Sequence, residues 1–344
     1  MMTPRARQLA AIRHEETDHV SLDAIAIEIL PQIADFLGVP RDDGQVLDRL
    51  GIDGRCLMPS DYLGEMPVGP QGEWRTAWGT ESFNDYGGGH GFPLAQVASV
   101  DEVERYPWWP NPQLYDYAGT AATMQQVVQR YATRGPGWKP LFCQVCELMG
   151  MEEAMVRMQT EPRIFEAVLA QIFAHVYDYS RRYLDACGDA LDIFLLCDDF
   201  ATQRGMMISP EQWRRWLKPR YAARFALAKS HGKIVWFHSC GDITAVLPDL
   251  IDIGMDVWET VQLHALPLAP AALKREYGEH LTFFGGINTQ RLPFVTPQEV
   301  RREVHSCIDI LGKHGGYICG PDHHIKPDVP PENAVALFDA AIGR

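Results

Sequence analysis

A (β/α)8 barrel with an N-terminal extension of helices and loops is the fold class the sequence predicts, and three observations carry it. From about residue 115 onward, short apolar β-rich runs alternate with helical patterns, which implies parallel strands joined by crossover helices. Polar residues gather at the C-terminal ends of those runs, the rim on which a barrel builds its site. The Gly-rich turn that an open dinucleotide-binding sheet would often carry follows none of them, which leaves a doubly wound sheet as the runner-up.

The elements follow in chain order. Residues 4–14 ("PRARQLAAIRH") fit an amphipathic helix, "VSLDAI" near residue 20 fits a strand, and 26–37 ("AIEILPQIADFL") fit a helix interrupted by Pro31. From Met58 to Tyr106 the chain is rich in Gly, Pro and aromatics, with "TAWGTESFNDYGGGHGFP" at its centre, and reads as cover loops. Helical patterns then span 116–134, 151–159, 162–187, 210–231, 243–253, 297–314 and 332–342. The strand-like runs between them are "PLFCQVCEL", "LDIFLLCDD", "KIVWFHSC", "MDVWETVQ", "LTFFGGI" and "GGYICGP". With "VSLDAI" and one further strand in the first third, these make eight. No repeat or linker divides the chain, so residues 1–344 read as one domain. Residues 1–110 supply the extension, first strand and cover loops, and 111–344 supply most of the barrel.

Composition bounds the function. Hydrophobic residues at 46% and charged residues at 22% are ordinary globular values. The formal charge of −14 and the absence of any Lys/Arg cluster exclude a general binder of nucleic acid or anionic membrane. No apolar run is long enough for a spanning helix, and the start lacks a signal-peptide pattern, so a cytoplasmic protein is expected. Eight cysteines in this length then read as core thiols or metal ligands rather than a disulfide framework.

In "FHSCGD", His238 and Cys240 are two apart at a strand end and project to one face. Cys319, in "GGYICGP", stands at a comparable height on another strand. One imidazole and two thiolates make a good Zn²⁺ set with an open fourth position; the alternative is a buried thiol beside a core histidine. Glu259, on the next strand, is a rim carboxylate able either to fill the fourth metal position or to form an ion pair. Asp198 and Asp199 end "LLCDD" and are candidates for a pocket acid, a partner of His238, or a helix cap. Glu147 is a candidate rim acid or base against a buried salt-bridge partner, and Gln203 is a weaker candidate. Cys143 and Cys146 in "CQVC" point to opposite faces if they lie on a strand and read as core. His323 and His324, adjacent in a Pro-rich loop, either line the substrate pocket or, as is commoner, lie at the surface, and they are not counted as ligands. Trp74, Trp78, Phe83 and Tyr86 hint at an apolar or aromatic substrate or pack the cover, and "YGGGHG" reads as a lid.

The start "RQLAAIRHEETDHV", the run from "DDFATQRGMMISPEQW" through "FHSCGDITAVLPDLIDIGMDVWETVQ", "FFGGINTQ" and "GGYICGPDHHIKPDVPPENAVALFDA" resemble the uroporphyrinogen decarboxylase superfamily over nearly the whole chain. The resemblance implies a (β/α)8 barrel. Uroporphyrinogen decarboxylases proper hold porphyrinogen carboxylates with an Arg-rich N-terminal segment and use no metal, yet "DHVSLDAIAIEILPQIADF" contains no arginine. The branch of zinc methyltransferases that work with corrinoid proteins carries His-x-Cys and a distant Cys, which fall on His238, Cys240 and Cys319. That resemblance implies Zn²⁺ and methyl transfer between a small methoxy compound or thiol and a corrinoid (cobalamin) on a partner protein. A metal-free decarboxylase or lyase using Asp198 or Asp199, and a non-catalytic barrel with structural zinc, are the alternatives.

Overall fold

The computed structural model describes residues 1–57, 60–69, 75–80 and 91–344. Trp74, Phe83, Tyr86 and most of the expected lid lie outside them. Ten strands are described: β1 (Ser21–Leu22), β2 (Gly54–Cys56), β3 (Ala132–Gly137), β4 (Ile193–Cys197), β5 (Ala201–Thr202), β6 (Gly205–Met206), β7 (Ile234–His238), β8 (Val257–Val261), β9 (Thr282–Ile287) and β10 (Tyr317–Pro321). The short pair β5 and β6 forms an antiparallel hairpin. The other eight form one parallel sheet in the order β1-β10-β9-β8-β7-β4-β3-β2. Its two edges meet where the Asp53 N–H donates to Leu22 O at 2.9 Å, so the sheet closes as the predicted barrel.

The helices in chain order are α1 (Pro4–Ile12), α2 (Leu30–Leu37), α3 (Asp43–Leu50), α4 (Val100–Glu104), α5 (Tyr117–Val127), α6 (Phe142–Met149) and α7 (Met151–Thr160). They continue with α8 (Pro162–Cys187), α9 (Pro210–Trp216), α10 (Lys218–Ser230), α11 (Leu247–Asp252), α12 (Pro270–Tyr277), α13 (Pro297–Leu311) and α14 (Pro331–Ala341). None is long and apolar enough to cross a membrane among the described residues.

Side-chain alternation along the strands splits the core in two. Ile193, Leu195, Cys197, Trp236, Val257, Phe284 and Ile318 fill the barrel interior together with Ala11 and Ile12 of α1, which plugs the N-terminal end. The opposite parity, including Phe194, Leu196, Phe237, Trp258, Phe283, Tyr317 and Cys319, belongs to the larger cluster between sheet and helices.

Several elements differ from expectation, among them the short helices α3 and α4 and the β5–β6 hairpin, which no sequence pattern announced. "PLFCQVCEL" is not a strand: Phe142–Met149 form α6, every residue of which is buried. Six of its eight residues are apolar or cysteine and the run is short, so length and composition imitate a buried strand, although Gln144 and Glu147 stand three apart on one helical face. The strand in its place is β3, "ATRGPG", whose two glycines and proline hide its character within the helix expected to run to residue 134. The remaining barrel strand is β2, in the first third. The helix α12 was not anticipated either.

Candidate metal centre

The rim of β4, β7 and β10 presents one group each, two residues beyond the strand's last residue: Asp199, Cys240 and His323. His238 ends β7 and faces the interior, two residues on from Trp236. The ligand atoms of His238, Cys240 and His323 all lie within 4.8 Å of one another. His238 Nε2 and Cys240 Sγ are 3.6 Å apart. Zinc bonds of about 2.1 Å to nitrogen and 2.3 Å to sulfur at a tetrahedral angle would separate those atoms by about 3.6 Å. The donor set and its spacing therefore fit Zn²⁺.

Glu259 organises this cluster from beneath. It lies opposite His238 in the β7–β8 register, and its carboxylate accepts from His238 Nδ1–H at 2.7 Å and from Trp236 Nε1–H. A hydrogen bond at Nδ1 fixes the tautomer that leaves the Nε2 lone pair for a metal. Burial alone would lower the pKa of His238, but the neighbouring Cys240 and Glu259 reverse this and raise it well above the ordinary value. Burial likewise opposes ionisation of Glu259, yet His238 and Arg134 keep its pKa below the usual value. Arg134 is anchored in turn by Asp23, which also accepts from Gln8 Nε2 at 2.5 Å. Glu259 is thus a buried ion-pair partner of His238 and stands outside the clustered ligand groups.

Cys319 does not join them. It sits within β10, paired across to Gly285, with the outward parity of Tyr317, and its neighbours are Tyr317 and Cys307 of α13. It is fully buried there, and burial pushes its thiol up to about 12. The third member of the cluster is His323, which the sequence reading did not count as a ligand. His324 pairs with Glu28 through Nδ1 at 3.2 Å and stacks on His323, whose ring approaches that of His238 edge-on at 6.1 Å. Burial and the charge of His238 push His323 down to about 4, so its imidazole is neutral near pH 7.

The paired acids separate by parity. Asp199 faces inward: its Oδ1 accepts the Cys240 N–H at 2.8 Å and stands 3.7 Å from His238 Nε2. Asp198 faces outward and is fully buried, accepting the backbone N–H groups of Leu141, Phe142 and Cys143 at 2.7–2.9 Å and the Tyr221 hydroxyl. It satisfies the first turn of α6, the capping place that was one of the three readings open to it. Glu147 lies buried on α6, accepts from the Gln144 side chain at 3.0 Å, and is not among the residues lining the cavity at the cluster. Cys143 exchanges hydrogen bonds with the Asp199 backbone and is core, as expected.

That cavity, about 500 Å³, opens above Cys240 and His323. Its walls carry Thr202, Gln203, Gln262, Thr289 and Gln290 beside the apolar Ala201, Pro293 and Val329, while Lys326 and Asp328 supply one charge of each sign. Gln262 Oε1 accepts the Gly241 N–H at 2.8 Å, leaving its amide hydrogens for the cavity. Gly241 has φ +81°, and a Cβ there would come within 2.5 Å of Thr202 O. Only glycine lets the β5–β6 hairpin brace the metal loop, through the Asp242 N–H to Thr202 O bond at 3.0 Å. Trp78 lies away from the cavity lining and is buried against His175 and Trp109, so it packs the cover.

Comparison with known proteins agrees with this architecture. The model of the family described as uroporphyrinogen decarboxylase (URO-D) matches residues 141–343. Curated relatives include uroporphyrinogen decarboxylases of Chlorobaculum parvum, 23% identical with 73% of this chain and 64% of the relative covered, and of Geotalea daltonii, 24% identical with 86% and 81% covered. The chain thus spans somewhat under two thirds of the first relative's length. Among solved structures, a methyltransferase from Methanosarcina mazei superposes with TM-score 0.66 over 100% of this chain and 99% of that one, at 19% identity, and so shares its fold.

Proposed function

The chain belongs to the uroporphyrinogen decarboxylase family, and from that premise we propose that it is a zinc-dependent methyltransferase passing a methyl group between a small substrate and a corrinoid carried by a partner protein. The observation that carries the reading is the His238–Cys240–His323 donor cluster at the floor of an open cavity. When bound, Zn²⁺ would supply Lewis acidity to a substrate heteroatom, either an attacking thiol or a departing oxygen. The methyltransferase named as a structural neighbour supports the reaction class.

The chain's own residues divide the work. Glu259 orients His238 and raises its basicity as a donor. Asp199 holds the Cys240 loop by its backbone amide and presents an oxygen beside the cluster, placed to take or give the proton of the reacting group. Gln262 pins Gly241 and offers hydrogen-bond donors to substrate. The open mouth gives a corrinoid access from the rim.

A metal-free decarboxylase is the second reading, favoured by the names of the curated relatives. Against it, a porphyrinogen's several carboxylates would meet one lysine, Lys326, among the described residues lining the cavity. The test is a methyl-transfer assay with methylcobalamin and with reduced cobalamin against thiols and methoxy compounds, with zinc quantified in the same protein. About one zinc per chain, and turnover abolished by chelation and by Cys240→Ser, is the expected result. Decarboxylation that survives exhaustive chelation would establish the second reading instead.

A further inference from the structure

The two imidazoles of the cluster are held in different ways. Resting on the zinc reading, we propose that His324, pinned by Glu28, is a positioning residue for the metal centre, its ring setting the orientation in which His323 offers a lone pair.

A ligating histidine ordinarily has its second ring nitrogen fixed by a carboxylate or carbonyl, which sets both tautomer and ring rotation. His238 receives this from Glu259. Among the described residues, His323 has no hydrogen bond at either ring nitrogen, and two other rings hold it instead. It meets His238 edge-on at 6.1 Å and lies nearly parallel to His324, with centroids 4.6 Å apart and planes 26° from parallel. That spacing suits the offset stack that ring pairs favour.

The backbone on both sides of the two histidines is fixed, so only side-chain rotation is left to decide. Before them, the Asp322 N–H donates to Ile287 O at 2.8 Å, and Asp322 Oδ1 accepts from the Thr289 N–H and hydroxyl at 3.0 and 2.7 Å. After them, the Ile325 N–H donates to Ala26 O at 3.0 Å, and Ile325 O accepts from the Glu28 N–H at 2.9 Å. That last bond brings Glu28 alongside His324, where its Oε1 accepts from His324 Nδ1–H at 3.2 Å. The segments that follow the paired strands β1 and β10 are thus laced together, and the lacing ends beside a member of the metal cluster.

Stability does not account for the Glu28–His324 contact. The side chains of His324 and Glu28 are 37% and 42% exposed, and a pair that open contributes little to folding. What it does fix is the rotamer of His324 and, through the stack, that of His323, which would otherwise be free among the staggered wells of a loop histidine. A donor already turned toward its metal has less freedom to lose when the metal binds.

The experiment measures zinc affinity of the full chain by competition with a chromophoric chelator, and follows the ligand-field bands of the Co(II)-substituted proteins beside it. Removing the stack with His324→Ala should weaken zinc roughly two- to tenfold, the range that a ring pair contributes, and should alter the Co(II) bands. His324→Phe restores a ring to stack but not the pin, so its affinity should fall between those of wild type and His324→Ala and match that of Glu28→Ala. Adding Glu28→Ala to either His324 variant should change nothing further. Wild-type affinity in His324→Ala overturns the inference and leaves the zinc reading standing. A loss in His324→Ala that His324→Phe does not partly recover overturns it too, because the effect then lies outside the stack. Glu28→Ala keeps both rings, and unchanged zinc affinity there overturns the pin even if a His324 variant does not fold. A wild type that binds no zinc removes the zinc reading and this inference together.

Discussion

Glu259 decides whether His238 presents a lone pair or a proton to its neighbours. Its carboxylate holds His238 Nδ1 and Trp236 Nε1 in a buried site, so Glu259→Ala would leave both donors unsatisfied and the imidazole free to turn. Loss of such a supporting carboxylate lowers metal affinity by roughly 10–100-fold. Competition with a chromophoric chelator should show that loss with one-to-one stoichiometry retained at saturating zinc. An unchanged affinity would mean that His238 is held by something else. Two members of the cluster, His238 and Cys240, were legible in the sequence, because His-x-Cys at a strand end is a same-face pair. The third was misplaced because the alternation that paired His238 with Cys240 was not carried along β10, where Cys319 has the outward parity of Tyr317.

At the scale of elements, the same alternation sorts Asp198 from Asp199, and it assigns one to architecture. Asp198 ties the β4 end to α6 through three backbone amides and Tyr221. Asp198→Ala should cost about 2 kcal/mol or more in denaturant unfolding, since those donors lose a buried acceptor. The metal content of the folded fraction should stay unchanged, whereas a catalytic Asp198 would cost activity without this stability loss. Gly241 has the complementary role of letting the hairpin reach the metal loop. Gly241→Ala would force a Cβ against Thr202 O at φ +81°. The positive φ alone costs roughly 1–2 kcal/mol, and displacement of the loop should weaken zinc binding in the same titration. Neither the all-buried α6 nor the Gly-Pro strand β3 was read correctly, because one is a short, mostly apolar run with a strand's length and the other has Thr133 as its one β-former beside two glycines and a proline.

Across the whole molecule, the barrel alternation and its polar rim were plain in the sequence, while the cover's attachment was not. His175 of α8 carries part of that attachment. Its Nδ1–H donates to Pro110 O at 2.8 Å, and Tyr115 and Trp78 pack on its ring. Burial pushes its pKa down to about 3. The unfolded chain therefore binds a proton below about pH 6.5 that the folded chain refuses until near pH 3. Stability is fully present above that upper limit and falls as pH drops through this window, by at most ~1.4 kcal/mol per pH unit from this group. Urea unfolding of wild type and His175→Gln between pH 7 and 4 should show a shallower decline in the variant; parallel declines would assign the acid sensitivity elsewhere.

All of this leads back to which side chains hold the metal. The most direct measurement is zinc per chain in folded wild type, Cys319→Ala and His323→Ala, purified side by side and analysed by elemental mass spectrometry. About one zinc is expected in wild type and in Cys319→Ala, and a large loss in His323→Ala. Full zinc in His323→Ala together with loss in Cys319→Ala would assign the metal to Cys319 instead of His323.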